Sequence, residues 1–285
     1  MLDRERKKGK MNPSHTRWVF HLPDWRPTLE HMMLVCRCVQ SEEKARLAKF
    51  CFQRDAKASL VGRLLQRKYC SEISGTSYDE IKFKRDENNK PVLEGPPGSK
   101  IFFNVSHSGN YVVLAGSTEV NVGVDVNQVE DRKDTQEFFR LMNRQFSPNE
   151  WRNIRSYSSD SMQMRAFIRH WCLKEAYVKA VGTGIAFDLE RIDFIVSSEL
   201  GLKTVTDTKV KIDGKLLEDW VFEESILGSD HIVSVASNTT SPTGQEFQFI
   251  DFDELVKKAV PFNEEDRKFC EEFLHKPYSP KSQRN

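Results

Sequence analysis

The sequence predicts an α+β fold in which a helix followed by antiparallel strands occurs twice. The first long helix begins after residue 55 and carries an apolar face with regular helical spacing. The strand-like segments that follow it are residues 80–85, 101–106 and 111–115. The second long helix covers residues 162–181, and its strand-like segments are 191–196, 208–212, 219–224 and 231–236. This repeated order suggests an internal duplication, although sequence similarity between the halves is weak.

Each of these elements depends on a local signal. Ser41-Glu42-Glu43 resembles a helix start. The inner face of the first long helix is formed by Leu60, Val61, Leu64 and Leu65. Turn-like residues 107–110 join two strands into a hairpin. Residues 120–126 alternate valine with polar or small residues, which is typical of a strand, and a shorter helix is predicted at 135–142.

Composition and element order give the predicted domain organisation. Residues 1–16 contain a basic run and are expected to form a disordered leader. Residues 17–118 and 119–260 are predicted to be an N-terminal and a C-terminal α+β half. Residues 261–285, which are rich in charged residues and proline, are predicted to be a peripheral tail.

The overall composition excludes several classes of protein. The 285 residues suffice for one large domain or two halves, and 43 Lys and Arg nearly balance 42 Asp and Glu. This balance argues against nucleic-acid binding. No segment approaches the roughly 20 apolar residues that a membrane-spanning helix needs. The six cysteines show neither zinc-type pairing nor the density of a disulfide scaffold. We therefore expect a cytosolic protein that binds neither membranes nor nucleic acid.

One acidic residue on a strand and another on a helix indicate a site for a divalent cation. Asp125 and Asn127 point to the same side of their strand because side chains alternate along it. Trp171, Glu175 and Lys179 recur every four residues, so a helix places them in one stripe. Magnesium prefers oxygen ligands and commonly uses one or two carboxylates together with a substrate phosphate.

Simpler interpretations of these residues remain open. Glu175 and Lys179 have the spacing of an ordinary helical salt bridge, and Asp125 could serve as a turn former. Gly123 favours the functional interpretation because it allows a close approach to the strand. Large apolar side chains around the helix would also bury its face.

Several basic and polar residues could hold a phosphorylated ligand. They are Arg46, Arg85, Lys90, Ser106 and His107. Arginine binds phosphate with two hydrogen bonds, lysine acts as a point charge, and histidine adds a donor. A solvated turn would explain Arg85 and Lys90 equally well, and a hydrogen-bonded turn would explain His107. The sequence lacks the motifs of P-loop NTPases, dinucleotide-binding dehydrogenases, zinc proteases and α/β-hydrolases.

Three motifs occur in a fixed order along the chain. They are Asn104-Val105-Ser106-His107-Ser108-Gly109, Val122-Gly123-Val124-Asp125 and Trp171-x-x-Lys174-Glu175-Ala176-x-x-Lys179-Ala180. Together they resemble the motifs of the Sfp-type 4′-phosphopantetheinyl transferases, and the similarity extends from Arg17 to the strands around Ala236.

This resemblance implies holo-[acyl-carrier-protein] synthase activity. The 4′-phosphopantetheine arm of coenzyme A would be transferred to a serine of an apo acyl carrier domain, releasing adenosine 3′,5′-bisphosphate. The implied fold is a pseudo-dimer of two similar α+β halves, each with an antiparallel sheet packed on a long helix. Coenzyme A and Mg²⁺ would lie in the cleft between them. The implied state is a monomer, and the implied partners are carriers of the fatty acid synthase, aminoadipate reductase and mitochondrial types.

By motif position, the resemblance also assigns roles to individual residues. Asp125 and Glu175 would bind the metal, and together with Lys179, which would contact the pyrophosphate, they form the catalytic group. Glu175 would accept the serine proton directly or through a water. The coenzyme A site would comprise Arg46, Arg85, Lys90, Asn104, Ser106, His107, Lys174, Glu175 and Lys179, with His107 near the 3′-phosphate.

Two points of this assignment are open. Asn127 stands where the commoner bacterial pattern has a third carboxylate, so its contribution to the metal site is undetermined. The sequence also does not distinguish Met1 from Met11 as the working start.

Two alternatives come from other functional classes. A non-catalytic module could bind carrier proteins or coenzyme A without transferring anything. A nucleotide or nucleic-acid binder could use the basic helix at residues 54–68. The intact acidic pair and Lys179 argue against the first alternative, and the near-neutral net charge argues against the second.

Overall fold

Two sheets, each built on three antiparallel strands and packed on a helix of 22 residues, form the centre of the fold. The computed structural model describes residues 14–87, 90–95, 100–182, 188–201 and 203–279. The helices are α1 (Leu29–Val35), α2 (Ser41–Ala48), α3 (Gln53–Ser74), α4 (Thr135–Leu141), α5 (Pro148–Arg155), α6 (Asp160–Val181), α7 (Phe252–Val256) and α8 (Arg267–His275). The strands are β1 (His15–His21), β2 (Phe83–Arg85), β3 (Pro91–Leu93), β4 (Phe102–Ser108), β5 (Tyr111–Ser117), β6 (Val122–Gln128), β7 (Ile192–Ile195), β8 (Lys209–Ile212), β9 (Lys215–Leu216), β10 (Val221–Leu227), β11 (His231–Ser237) and β12 (Gln248–Phe249).

The two halves repeat the same arrangement. In the first sheet β5 lies between β1 and β4, and in the second β11 lies between β6 and β10, with antiparallel pairing throughout these trios. Helix α3 packs on β4 and β5, and helix α6 packs on β6 and β11. Each long helix ends at a glycine in the left-handed region, Gly75 at φ +71° and Gly182 at φ +79°. This repetition confirms the predicted fold class.

The two sheets meet where β4 runs beside β6. Side chains of β4 take the place of a backbone ladder along this junction, because oxygens of Asn104, Ser106 and Ser108 accept hydrogen bonds from backbone N–H groups of β6. The donors are Val124 at 3.2 Å, Val126 at 3.4 Å and Gln128 at 3.1 Å. Alternate residues of β4 thereby satisfy alternate amides of β6. We call this row of contacts the β4–β6 seam.

A buried ion pair between strands β1 and β10 also joins the two halves. Arg17 of β1 places Nη2 3.2 Å from Oε2 of Glu223 on β10, and both side chains are almost fully buried. The Glu223 carboxylate also accepts hydrogen bonds from Thr243 Oγ1 and the Gly244 amide. Burial of the two charges is therefore offset by their pairing and by further donors.

The C-terminal residues differ from the prediction. Strand β12 pairs in parallel with β1 of the N-terminal half, although it was assigned to the C-terminal half. The described part of the predicted peripheral tail contains α8, which packs on α1 and α3. Cys270 and Phe273 of α8 are buried in the core beneath the first sheet, together with Ile250 and Leu255. These residues complete the N-terminal core, and a two-residue strand and a short helix give too little periodicity to be recognised in the sequence.

Most other elements lie close to their predicted positions. The hairpin is longer than expected, since β4 and β5 extend to the two-residue turn Gly109-Asn110, where Gly109 has φ +53°. Strand β1 begins at His15, and residues 1–13 of the predicted leader, with Met1 and Met11, lie outside the described residues. The predicted boundary near residue 118 stays a prediction. Across the described ranges, the helices are too short or too polar to cross a lipid bilayer.

Candidate active site

A cleft of about 1000 Å³ lies along the β4–β6 seam, against helix α6. Its lining combines the three sequence motifs. The described lining residues are Lys90, Asn104, Val105, Ser106, His107, Asp125, Val126, Asn127, Arg144, Gln145, Trp171, Glu175, Val178, Lys179, Gly182, Asp188 and Leu189. The predicted stripe of Trp171, Glu175 and Lys179 therefore faces the same cavity as Asp125.

The Asp125 carboxylate is the centre of the polar network in this cleft. Its Oδ1 accepts hydrogen bonds from Ser106 Oγ at 2.8 Å and from Lys179 Nζ at 2.5 Å. Its Oδ2 accepts one from Asn127 Nδ2 at 2.6 Å. The Asp125 side chain is 6% exposed and that of Lys179 is 27% exposed, so the ammonium reaches from the solvent side to a buried carboxylate. Strand alternation thus places Asp125 and Asn127 on one face, as predicted.

Glu175 lies on helix α6 beside this network. Burial raises the pKa of Glu175, the nearby Asp125 carboxylate raises it further, and Lys179 opposes the rise. The Glu175 carboxylate accepts no hydrogen bond from the described part of the chain. A partly buried carboxylate that lies near a second carboxylate and lacks a donor is suited to meet a cation.

Gly123 allows helix α6 to lie directly against strand β6. A Cβ atom at this position would stand 2.1 Å from the Ala176 carbonyl oxygen and 2.5 Å from the Ala180 amide nitrogen. Both atoms belong to the helix backbone, which cannot rotate away as a side chain could. The absence of a side chain here brings the strand that carries Asp125 close to the helix that carries Glu175.

A second, basic cavity opens beside the cleft. We call it the arginine pocket; its described lining residues are Ser59, Gly62, Arg63, Gln66, Arg85, Lys90, Pro91, Phe103, Asn104, Val105 and His107. Lys90 and His107 line both cavities, so the two are continuous. Surrounding protein lowers the pKa of His107, and the charge of Lys179 lowers it further. A neutral imidazole can donate one hydrogen bond here.

The predicted ligand contacts Arg85 and Arg46 differ in how they lie relative to the two cavities. Arg85 lines the arginine pocket, as expected for a ligand contact, while residues 88 and 89 of the same segment lie outside the described residues. Arg46 is exposed on α2 and is not among the described residues that line either cavity. Its charge nevertheless contributes to lowering the pKa of Arg63, so it lies near the pocket.

The placement of Lys174 contradicts its predicted contact with the cofactor. Its ammonium is fully buried and lies 2.7 Å from Glu150 Oε2. It also donates hydrogen bonds to the backbone oxygens of Leu189 and Ile192. Successive helical residues point about 100° apart, so the residue before Glu175 faces the interior of the C-terminal half. Lys174 therefore stabilises the packing of α5 against α6.

Two family models cover most of the chain. "4'-phosphopantetheinyl transferase, N-terminal" matches residues 23–119, and "4'-phosphopantetheinyl transferase superfamily" matches residues 121–236. The L-aminoadipate-semialdehyde dehydrogenase-phosphopantetheinyl transferase of Xenopus laevis is 38% identical over 94% of each chain. The chain belongs to the 4′-phosphopantetheinyl transferase superfamily. This confirms the family predicted from the three motifs.

The chain is also similar to two further phosphopantetheinyl transferases. The human protein of the same name as the Xenopus one is 35% identical over 90% of each chain. A phosphopantetheinyl transferase of Thraustochytrium is 36% identical over 77% of each chain.

The oxygen donors of the transferase cleft fit a sparsely coordinated metal ion. Asp125 and Glu175 supply carboxylates, and the Asn127 side chain can add an amide oxygen. In the described ranges, no group of three or more His, Cys, Asp or Glu side chains is suitably placed to hold a metal. A two-carboxylate site is what magnesium uses when substrate phosphates and waters complete its shell.

The cleft and the arginine pocket also contain residues that the sequence motifs did not identify. Arg144 and Gln145 approach from the short helical turn after α4, and Arg63 and Gln66 lie on α3 at the arginine pocket. Arg63 lies within the basic helix at residues 54–68 that the sequence indicated. Its position opposite Arg85 depends on long-range packing and has no local signal.

Proposed function

We propose that this transferase carries out its reaction in the cleft along the β4–β6 seam, with Asp125 and Glu175 holding a Mg²⁺ ion. Its activity is transfer of the 4′-phosphopantetheine moiety of coenzyme A to a serine of an apo carrier domain, which gives holo carrier and adenosine 3′,5′-bisphosphate. The supporting observation is that one carboxylate from β6 and one from α6 face the same cavity as Lys179.

The chemistry of the step defines what these residues must do. The serine oxygen attacks the β-phosphorus of the pyrophosphate, and the bond from that phosphorus to the bridging oxygen breaks. A bound Mg²⁺ ion would supply charge neutralisation for the diphosphate. Lys179 contributes a positive charge from the chain itself, and it can exchange its bond to Asp125 for one to a phosphate oxygen.

Glu175 is the residue proposed to accept the serine proton. Its carboxylate faces the same cavity as Asp125 and Lys179, where the serine hydroxyl would have to approach the diphosphate. The β4–β6 seam holds Ser106 against Asp125, so the acidic group keeps a defined position before the co-substrate arrives. The leaving group departs as adenosine 3′,5′-bisphosphate, with its new charge stabilised by the same cations.

Mass spectrometry of an apo carrier incubated with coenzyme A and the purified transferase tests this proposal. We expect the carrier to gain the phosphopantetheine arm with Mg²⁺ present and to lose that gain when the metal is chelated. Asp125→Asn and Glu175→Gln should each abolish transfer, and Glu175→Gln should still bind coenzyme A measurably by calorimetry. Asp131→Asn, an exposed aspartate shortly after β6, is the matched control. Wild-type turnover in Glu175→Gln would rule out its role as the base.

We further propose that the chain acts as a cytosolic monomer. Both walls of the cleft come from one chain, so no second copy is needed to complete it. Carriers of the aminoadipate reductase, fatty acid synthase and mitochondrial types are the proposed acceptors, the first supported by the names of relatives. Size-exclusion chromatography with light scattering tests the oligomeric state, and parallel reactions with the three purified apo carriers test the acceptors.

A further inference from the structure

Two arginines of the arginine pocket share one carboxylate. Glu43 of α2 places Oε1 2.9 Å from Nη2 of Arg85, on β2, and its Oε2 contacts Nε of Arg63, on α3. The Glu43 side chain is only 10% exposed. Three separate elements thus meet at a single carboxylate, which links the two guanidinium groups that line the pocket.

The arginines would repel each other without this carboxylate. Burial lowers the pKa of Arg63, and the charge of Glu43 counteracts this, whereas Arg85 and Arg46 lower it further. Several positive charges are therefore crowded around one negative charge. Gln66 adds a neutral contact, since its Oε1 accepts a hydrogen bond from Nη1 of Arg63 at 3.4 Å.

The ligand of this pocket follows from the proposed function, on which this inference rests. Coenzyme A carries two separate anionic groups, a pyrophosphate and a 3′-phosphate. The pyrophosphate is assigned to the cleft at Asp125, Glu175 and Lys179. The arginine pocket is continuous with that cleft through Lys90 and His107, so the second anionic group can enter it.

We propose that Glu43 is a positioning residue that holds Arg63 and Arg85 as a paired receptor for the 3′-phosphate of coenzyme A. Neither Glu43 nor Arg63 belongs to the three motifs of the family. Planar guanidinium groups bind phosphate best when their donors are oriented in advance, because less side-chain freedom is then lost on binding. Glu43 provides that orientation from behind the pocket wall.

Removing the Glu43 carboxylate has two possible effects, and they predict opposite changes in the KM for coenzyme A. If Glu43 only reduced the positive charge of the pocket, Glu43→Gln would strengthen the attraction for phosphate and lower the KM for coenzyme A. If Glu43 positions the arginines, the same change releases them and raises the KM. Glu43→Asp separates the effects further, because it keeps the charge but is one methylene too short to reach both partners.

The experiment compares coenzyme A with 3′-dephospho-coenzyme A in steady-state transfer to a saturating apo carrier, using the full chain. We expect Glu43→Gln and Glu43→Asp to raise the KM for coenzyme A by about 10-fold or more, the loss of one oriented charge-assisted hydrogen bond. The kcat should change by less than about 2-fold, because only uniform binding is lost. The KM for the dephospho compound should stay unchanged, because that compound lacks the 3′-phosphate. Arg63→Lys should give the same selective increase. Glu42→Gln, an exposed carboxylate one residue earlier on α2, is the matched control.

A lower or unchanged KM for coenzyme A in Glu43→Gln overturns the positioning role. An equal rise for both co-substrates also overturns it, because that result indicates damage to the fold rather than to one subsite. Thermal unfolding of each variant identifies such damage independently. Failure of the wild-type chain to use either co-substrate would be a different result, which refutes the proposed function itself.

Discussion

Gly123→Ala is predicted to impair transfer by separating the strand that carries Asp125 from the helix that carries Glu175. The added methyl group would meet the Ala176 carbonyl oxygen at 2.1 Å, whereas ordinary contacts begin near 3.4 Å, so α6 must move by about 1.3 Å. A misplacement of about 1 Å in a catalytic site can reduce the rate by roughly 100-fold. Overpacking of this kind also costs about 1–3 kcal/mol of stability.

The measurement is the rate of carrier modification at saturating coenzyme A, together with urea unfolding. Gly201→Ala is the control, because a methyl group there meets nothing within 4 Å and the backbone is not left-handed. We expect the control to match the wild type in both assays. A Gly123→Ala variant with wild-type rate and stability would refute the claim that close packing of α6 on β6 sets the geometry of the acidic pair.

Three further substitutions separate structural from catalytic roles. Lys174→Met should cost about 3–5 kcal/mol in urea unfolding, because it removes the lysine partner of the buried Glu150 carboxylate. A variant of unchanged stability with an altered KM for coenzyme A would contradict this. Arg17→Met should destabilise the protein by a similar amount, and adding Glu223→Met should recover much of the loss. Wild-type stability in Arg17→Met would show that the ion pair contributes nothing. Ser106→Ala removes a donor to Asp125 and an acceptor at the β4–β6 seam, so kcat should fall by about 10-fold, as measured by stopped assays of carrier modification. Unchanged turnover would show that the hydrogen bond from Ser106 at the β4–β6 seam does not orient Asp125.

Sequence periodicity was sufficient to predict the centre of the site. Strand alternation placed Asp125 and Asn127 on one face, and four-residue spacing placed Trp171, Glu175 and Lys179 on one stripe of α6. Both patterns depend only on local backbone geometry, which the sequence determines over a few residues. The close approach of the two elements was also indicated, because Gly123 interrupts the strand side chains at the point of contact.

Motif position alone gave a wrong result for Lys174. It adjoins Glu175 in the motif, yet one step along a helix turns the side chain by about 100°. The helical stripe that correctly grouped Glu175 with Lys179 therefore excluded Lys174 from the same face. Its burial against Glu150 confirms that helical geometry is the better guide.

Contacts between distant segments were beyond reach of sequence patterns. Glu43 meets Arg63 and Arg85 only after α2, α3 and β2 have packed, so no local spacing indicates the arginine pocket. The pairing of β12 with β1 likewise spans most of the chain and involves two residues. Such contacts depend on the global fold, which local propensity does not encode.

The return of β12, α7 and α8 to the first sheet affects the order in which the protein can be made. Domains commonly fold one after another as they emerge from the ribosome, beginning at the N-terminus. Here the N-terminal core includes Ile250, Leu255, Cys270 and Phe273, which are synthesised after the second sheet. The first half therefore cannot close its core until the segment that follows the second sheet has been made, and a nascent chain that lacks this segment would expose the apolar surface of the first half.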